Sequence, residues 1–355
     1  MSSLPNSVRV TFLWGPSQAG TQWLDLSIFN NDFAAGSFVT AGPLGAAQWG
    51  FVWNGLLQGN THFARVNTLT PAGWRTSETV SFFTPICNGA WDSPPPARDM
   101  MQLHDEMWNA IANSGINASV AITDLQTHET VDVSGYDTRL PGCTINLFAL
   151  LRVAVDLQAG RYPEYLVGDT IGLTINRSDP ILARALMRDF IGAGDLGLGM
   201  RRVNDFVHAL GMTSTLMDHP PAFPQESLFG GIDNRITARD VNRGLQGLWD
   251  GRILNPWWRD YMLFQMTKVK PGLNYLIPAG TSDGAIVSHK NGFLYSEGWA
   301  DNDIGIVWYD RGGERVGYAI SFFTEGVPTK YDDIPLGQHI SSLAYQWFVG
   351  RYGYP

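Results

Sequence analysis

The chain has 355 residues, of which 44% are apolar and 16% charged, with a net charge of −9 at pH 7. Such a chain is long enough for two domains with real cores and too apolar to be disordered. No Lys/Arg cluster interrupts the acidity, so no nucleic-acid partner is expected, and no apolar run reaches bilayer-spanning length, so no transmembrane segment is expected either.

Met1-Ser2-Ser3-Leu4-Pro5 is not a basic segment leading into an apolar run, so no signal peptide is expected there. Short β-branched and aromatic runs then alternate with Gly/Asn/Pro turns. They predict strands at Val8–Trp14, Gln22–Phe29, Ser37–Thr40, Gln48–Trp53, His62–Asn67 and Glu78–Thr84. An antiparallel β-sandwich suits that pattern. In Asp92-Ser-Pro-Pro-Pro-Ala-Arg98, three consecutive prolines favour an extended segment and exclude helix or central strand. The expected organisation is a β module over residues 1–91, a linker over 92–98 and a second module over 99–355.

The second module opens with a helical pattern at Arg98–Ala112. Ala118–Asp124 and Thr130–Val133 flank a Gln126-Thr-His128 turn, a hairpin signal. Thr144–Gln158 is apolar almost all round, the mark of a helix buried in mid-domain. Further helices are expected at Ile181–Phe190, Leu198–Leu210, Ala238–Leu248 and Pro256–Met266. Asp303–Tyr309 and Arg315–Phe323 flank Arg311-Gly-Gly-Glu314 as a second hairpin, and Gly337–Trp347 closes as a helix. The order predicts an α+β domain: an antiparallel sheet flanked by terminal helices, with an all-helical subdomain inserted.

Two resemblances follow. Leu57-Gln-Gly-Asn-Thr61-His-Phe63-Ala-Arg65-Val66, Gly73 and Ser81-Phe-Phe-Thr-Pro85 resemble the late strands of a fibronectin type III domain, with Phe63 where that family has tyrosine. This implies a spacing or docking module. In the second module, Cys143-Thr-Ile-Asn146, Ser178-Asp179-Pro180 and Lys290-Asn291-Gly292 stand in the order of the S-x-x-K, S-D-N and K-T-G motifs. Ile236-Thr-Ala-Arg-Asp240 and Asn302-Asp303-Ile-Gly-Ile-Val307 keep the same register. This module resembles the class A β-lactamases, penicillin-recognising serine hydrolases, with altered motifs.

The resemblance implies catalytic positions at Cys143, Asn146, Ser178, Lys290 and Glu226, and substrate-binding positions at Gly292, Phe293 and Asp179. Cys143 takes the nucleophile's place at a helix entrance, a setting that suits a reactive thiol. Asn146 takes the place of the activating lysine and cannot accept a proton at neutral pH. Ser178 relays a proton, and Lys290 holds substrate charge or tunes its neighbours. Backbone N–H groups of Cys143 and Phe293 form the oxyanion hole. Asp179 also reads as a helix cap. Glu226, in the loop Asp218–Asn234, is the candidate deacylating base. Cys87 and Cys143 are compatible with a disulfide or with two free thiols. No metal-ligand spacing or phosphate loop is present, so neither metal nor cofactor is expected.

These changes point first to a non-hydrolytic descendant that binds cell-wall or other ligands, with peptidoglycan or a small acyl compound in the cleft. The alternative is a cysteine-dependent acyl-transfer hydrolase acting on a β-lactam, peptide amide or ester through a covalent acyl-enzyme. A conventional β-lactamase comes third. The resemblances imply an extracytoplasmic location.

Overall fold

Side chains alternate between the two faces of each strand, and along Asn117–Asp124, Trp299–Arg311 and Glu314–Glu325 both faces are buried. The computed structural model describes residues 7–14, 20–27, 33, 38–46, 50–57, 61–84, 96–282 and 284–353. The chain divides into two units, Met1–Trp91 and Asp92–Pro355.

The first unit contains strands β1 (Ser7–Leu13), β2 (Thr21–Ser27), β3 (Phe38–Leu44), β4 (Gly50–Leu57), β5 (Thr61–Thr70), β6 (Gly73–Thr76) and β7 (Val80–Phe83). Strands β1 and β4 pair antiparallel; the second sheet runs β3-β2-β5-β6, with β7 also pairing β5. Leu24, Leu26, Leu44, Leu56 and Ala64 form a common core with Val10, Phe12, Phe51 and Trp53. Strand β6 was not expected from sequence. It is four residues long, and its hairpin is set by Thr70, whose hydroxyl donates to Gly73 O at 2.8 Å and accepts from Ala72 N at 3.2 Å. The expected strand Glu78–Thr84 shortens to β7. Phe29, Ser37, Gln48, Cys87 and the linker residues Pro94 and Pro95 lie outside the described residues.

The second unit begins with α1 (Arg98–Ser114), β8 (Asn117–Asp124) and β9 (Thr130–Val133). A 3₁₀ turn, Gly142–Ile145, leads into α2 (Asn146–Gln158). The helical block continues with α3 (Gly168–Arg177), α4 (Pro180–Ala185), α5 (Leu196–Ala209), α6 (Ala238–Trp249) and α7 (Pro256–Met266). Strands β10 (Ile286–Tyr295), β11 (Trp299–Arg311) and β12 (Glu314–Glu325) precede α8 (Ile334–Tyr352). The antiparallel sheet has the order β10-β11-β12-β8-β9, so β10 is an edge strand. Met100, Leu103 and Met107 of α1 and Ile340, Ala344 and Phe348 of α8 pack on one face, against Val120, Ile320 and Phe322. Leu147, Phe148 and Leu151 of α2 join Ile304, Ile306, Ala319 and Phe323 on the other.

Three departures have local causes. Helix α3 is rich in Gly and Thr, weak helix formers, and forms because Ile171, Thr174 and Ile175 are buried. The expected helix Ile181–Phe190 starts one residue earlier, with Pro180 at its first position, and widens into a π segment at Leu186–Ile191. The first turn of the expected helix Thr144–Gln158 is 3₁₀ rather than α.

A buried acid pair joins α8 to the sheet. Asp301 N donates to Asp333 Oδ2 at 2.9 Å, and Tyr275 OH donates to Asp301 Oδ1 at 2.7 Å. Burial pushes the Asp301 carboxyl up to about 7; the Tyr275 bond opposes this and the Asp333 charge adds to it. The fold therefore favours the protonated acid more than the unfolded chain does. That contribution is complete below the ordinary value of 3.8 and is lost as pH rises through about 7. Thermal unfolding of Asp301→Asn is expected to show a smaller loss of stability across that window than wild type; an unchanged pH profile excludes this role.

Candidate functional site

The site is built where the entrance to α2 meets edge strand β10. Gly142 has φ +56, which favours glycine, and a Cβ there would lie 3.1 Å from the Leu294 side chain and 3.3 Å from Phe293 N. The buried Thr144 donates both its hydroxyl (2.7 Å) and its N–H (3.3 Å) to Pro141 O, closing the turn. Asn302 Nδ2 donates to Leu140 O at 2.8 Å, while its Oδ1 accepts from Thr324 N at 3.0 Å. The turn is thereby tied to the centre of the sheet.

Cys143 is a half-buried free thiol on this turn. A 3₁₀ turn has three residues per repeat, so the side chain three positions on eclipses it. That residue is Asn146, which is fully buried. Neither its amide nitrogen nor its amide oxygen has a hydrogen-bond partner among the described residues. Such a group costs about 1–3 kcal/mol unless something meets it.

Lys290 is fully buried, although β10 is an edge strand. Its ammonium donates to Ser178 Oγ, and to Asn291 O at 2.5 Å. Ser178 Oγ also donates to Asn291 O at 3.2 Å. Ser178 ends α3 with φ 55 and ψ 43, a left-handed conformation rarely taken by serine. Such strain persists where surroundings fix it, here Lys290 and Asn291. Burial lowers Lys290 to about 8, with interactions from Cys143 and Asp303 pulling it back up.

The backbone of β10 completes the site. Asn291 O faces Ser178 and Lys290 rather than β11, so main-chain groups two residues along lie on the same outer edge. Phe293 N–H is one of them. A Cβ on Gly292 would fall 2.7 Å from Pro141 O, 2.8 Å from Thr144 N and 2.9 Å from Cys143 N. Glycine is what lets the strand approach the turn so closely. Cys143 N and Phe293 N border this same seam. The Phe293 ring turns away, stacked on Trp299 at 5.2 Å.

Two sequence-derived positions have other partners. Asp179 Oδ1 accepts from Ile181 N at 2.9 Å and Leu182 N at 3.2 Å, so it caps α4. Glu226 gives both carboxylate oxygens to Arg184 on α4, with Arg184 Nε at 2.5 Å. The bonds from Arg184 hold the Glu226 carboxyl below its ordinary range. The loop carrying it is closed by Asn234, whose Oδ1 accepts from Asp218 N at 2.7 Å and His219 N at 3.1 Å. Sequence reasoning missed the roles of Asn291 O, Asn302 and Arg184. Only Asn302 left a signal, lying in the strand run that fixed the motif register.

Among the described residues, no cluster of His, Cys, Asp or Glu could hold a metal ion, and no helix is long and apolar enough to cross a membrane.

Comparison with solved structures places the second unit's fold. The chain is similar to PBP-A at 21% identity and TM-score 0.59, over 72% of this chain and 99% of that one. A mutant of PBP-A, also 21% identical, is described as an acyl-enzyme complex with penicillin G. A β-lactamase from Chitinophaga pinensis is 17% identical with TM-score 0.58, over 69% and 98% of the two chains. The extended-spectrum β-lactamase TLA-1 is 17% identical with TM-score 0.60, over 71% and 100%. No curated protein matches the chain. The sequence pattern of the β-lactamase enzyme family matches residues 157–348, beginning just beyond Cys143 and Asn146. That match spans more than half of the sequence, and the chain belongs to the β-lactamase enzyme family.

Proposed function

We propose that the second unit performs thiol-dependent acyl transfer on an amide, ester or β-lactam. Cys143 Sγ attacks the acyl carbonyl, a thioester forms, and the C–N or C–O bond to the leaving group breaks. With Lys290 as the neutral amine that its lowered pKa makes accessible, the thiol proton passes to it by way of Ser178 Oγ and returns along the same path to the leaving nitrogen or oxygen. The carbonyl oxygen is held by Cys143 N–H and Phe293 N–H while it carries charge. One observation carries this reading: a free Cys143 close enough to a fully buried Lys290 to act on its charge, with that lysine hydrogen-bonded to Ser178. From sequence alone the loss of a base at Asn146 favours a ligand-binding descendant. A lysine held near 8 supplies a titratable group from the opposite wall. The penicillin acyl-enzyme of the PBP-A mutant supports an acyl-accepting cleft in this fold.

The second reading, a non-hydrolytic binder of cell-wall material such as peptidoglycan, is favoured by the Arg184–Glu226 pair, which ties up the candidate deacylating base. Either reading fits a fibronectin type III-like first unit acting as a spacer or docking module outside the cytoplasm.

Intact-mass spectrometry separates them. After incubation, wild type is expected to gain the whole mass of penicillin G, whose leaving nitrogen stays tethered, or only the acyl group of an activated phenyl ester, whose phenol departs; Cys143→Ala is expected to gain neither. No adduct, or an adduct that persists in Cys143→Ala, removes the thiol reading. Peptidoglycan pull-down that is equal for both proteins, without any adduct, favours the second.

A further inference from the structure

We infer that the outer face of the β3-β2-β5-β6 sheet in the first unit is a binding site for an uncharged polysaccharide of flat, equatorially substituted sugars. The register assembles it. Trp23 lies opposite Asn67 and Asp25 opposite Arg65; Asn67 lies opposite Thr76 on β6. These residues share one face, while Leu24, Leu26 and Ala64 point into the core. They line a recess of about 350 Å³ with Trp74, within the range of small-ligand sites.

The recess has an aromatic floor and a polar rim. Trp74 is 60% exposed, and its ring lies 4.8 Å from that of Trp23 at 54°. A large indole turned outward beside a second one is an apolar surface awaiting a partner. Beside it, the polar side chains orient one another. Thr76 Oγ1 donates to Asn67 Oδ1 at 2.7 Å; Asn67 Nδ2 donates to Asp25 Oδ2 at 2.5 Å; Arg65 Nε donates to the same oxygen at 3.2 Å. Asp25 itself is buried, so the row is anchored from below.

Chemistry selects the occupant. A pyranose ring with equatorial hydroxyls presents a flat C–H face and a rim of groups that both donate and accept. The face suits Trp74 and Trp23, and the rim suits Asn67, Thr76 and Arg65. Asp25 and Arg65 are the only charges lining the recess among the described residues, and they neutralise each other. An anionic polymer finds no net positive charge there, in a chain of net charge −9. A lipid surface would need a broader apolar face with a basic rim.

This site is independent of the thiol chemistry, and its test separates the two. The full chain is titrated with cellotetraose and with the tetramer of N-acetylglucosamine, following tryptophan fluorescence and calorimetric heat. Saturable binding of at least one is expected. Trp74→Ala should weaken it about tenfold or more, equivalent to about 1.4 kcal/mol. Thr76→Val, which keeps the shape, should weaken it less. Cys143→Ala should leave it unchanged, and Trp74→Ala should leave the unfolding temperature and adduct formation at Cys143 unchanged. Absence of saturable binding to both sugars overturns the proposal. So does binding that survives Trp74→Ala, or binding that Cys143→Ala abolishes.

Discussion

Replacing Lys290 by methionine is expected to slow adduct formation at Cys143 by about 10²–10⁴ and to leave the fold intact. The factor is that of a positioned proton acceptor. The fold should survive because burial already disfavours the Lys290 charge, methionine offers a similar length without it, and Asn291 O keeps its bond from Ser178 Oγ. The pH profile is the sharper readout. With Lys290 lowered to about 8, the neutral amine accumulates as pH rises through that value. The wild-type rate should climb and level off there, and Lys290→Met should lose that inflection. Stability carries a matching sign. The folded chain disfavours the charged lysine, so the penalty is full below about 8 and fades as pH rises from there to the ordinary 10.5. Wild-type stability should rise across that window, and the variant's should not. Time-resolved mass spectrometry and thermal unfolding measure both; wild-type rates in Lys290→Met would refute the proton route through Ser178.

Gly292→Ala is expected to be the most damaging single-methyl change in the site. The added carbon would lie 2.7–2.9 Å from three backbone atoms of the turn that carries Cys143: Pro141 O, Thr144 N and Cys143 N. None is the end of a flexible side chain, so strand and turn must separate. Overpacking of this kind costs about 1–3 kcal/mol. Separation also misplaces Phe293 N–H relative to Cys143 N–H, and losing one oxyanion donor costs about 10²–10³ in rate. Acylation should therefore fall by about that factor, with a lower unfolding temperature. An alanine variant that acylates like wild type would show that the seam between β10 and the turn does not hold the reacting oxygen.

The sequence was most legible where one residue type has one physical meaning. The run ending at Gln158, apolar almost all round, is a helix buried in mid-domain, and the hairpin around Arg311-Gly-Gly-Glu314 is present as β11 and β12. Cys143, Ser178 and Lys290 were proposed from local spacing and chain order, and the structure joins Ser178 to Lys290. Other features depend on contacts distant in sequence. Helix α3 has weak propensity and owes its form to burial. Strand β6 is short and exposed, and exists because β5 offers it a partner. The Asn291 carbonyl, which collects bonds from Lys290 and Ser178, has no side-chain signature at all. Glu226 stood out as a carboxylate in a suggestive loop, but nothing nearby in sequence announces Arg184, 42 positions away, as its partner.

That ion pair decides how the proposed chemistry would be counted. An enzyme that frees its acyl group quickly is described by turnovers per second. Here the loop carboxylate best placed in sequence to activate water is held by a guanidinium. A thioester formed at Cys143 in the proposed reaction would then outlast the encounter that made it. Its natural measure is equivalents of acyl group captured per mole of chain, an initial burst followed by a plateau. The molecule would act as a stoichiometric acceptor that records exposure to acyl donors, and its working lifetime would be set by whatever nucleophile later relieves it.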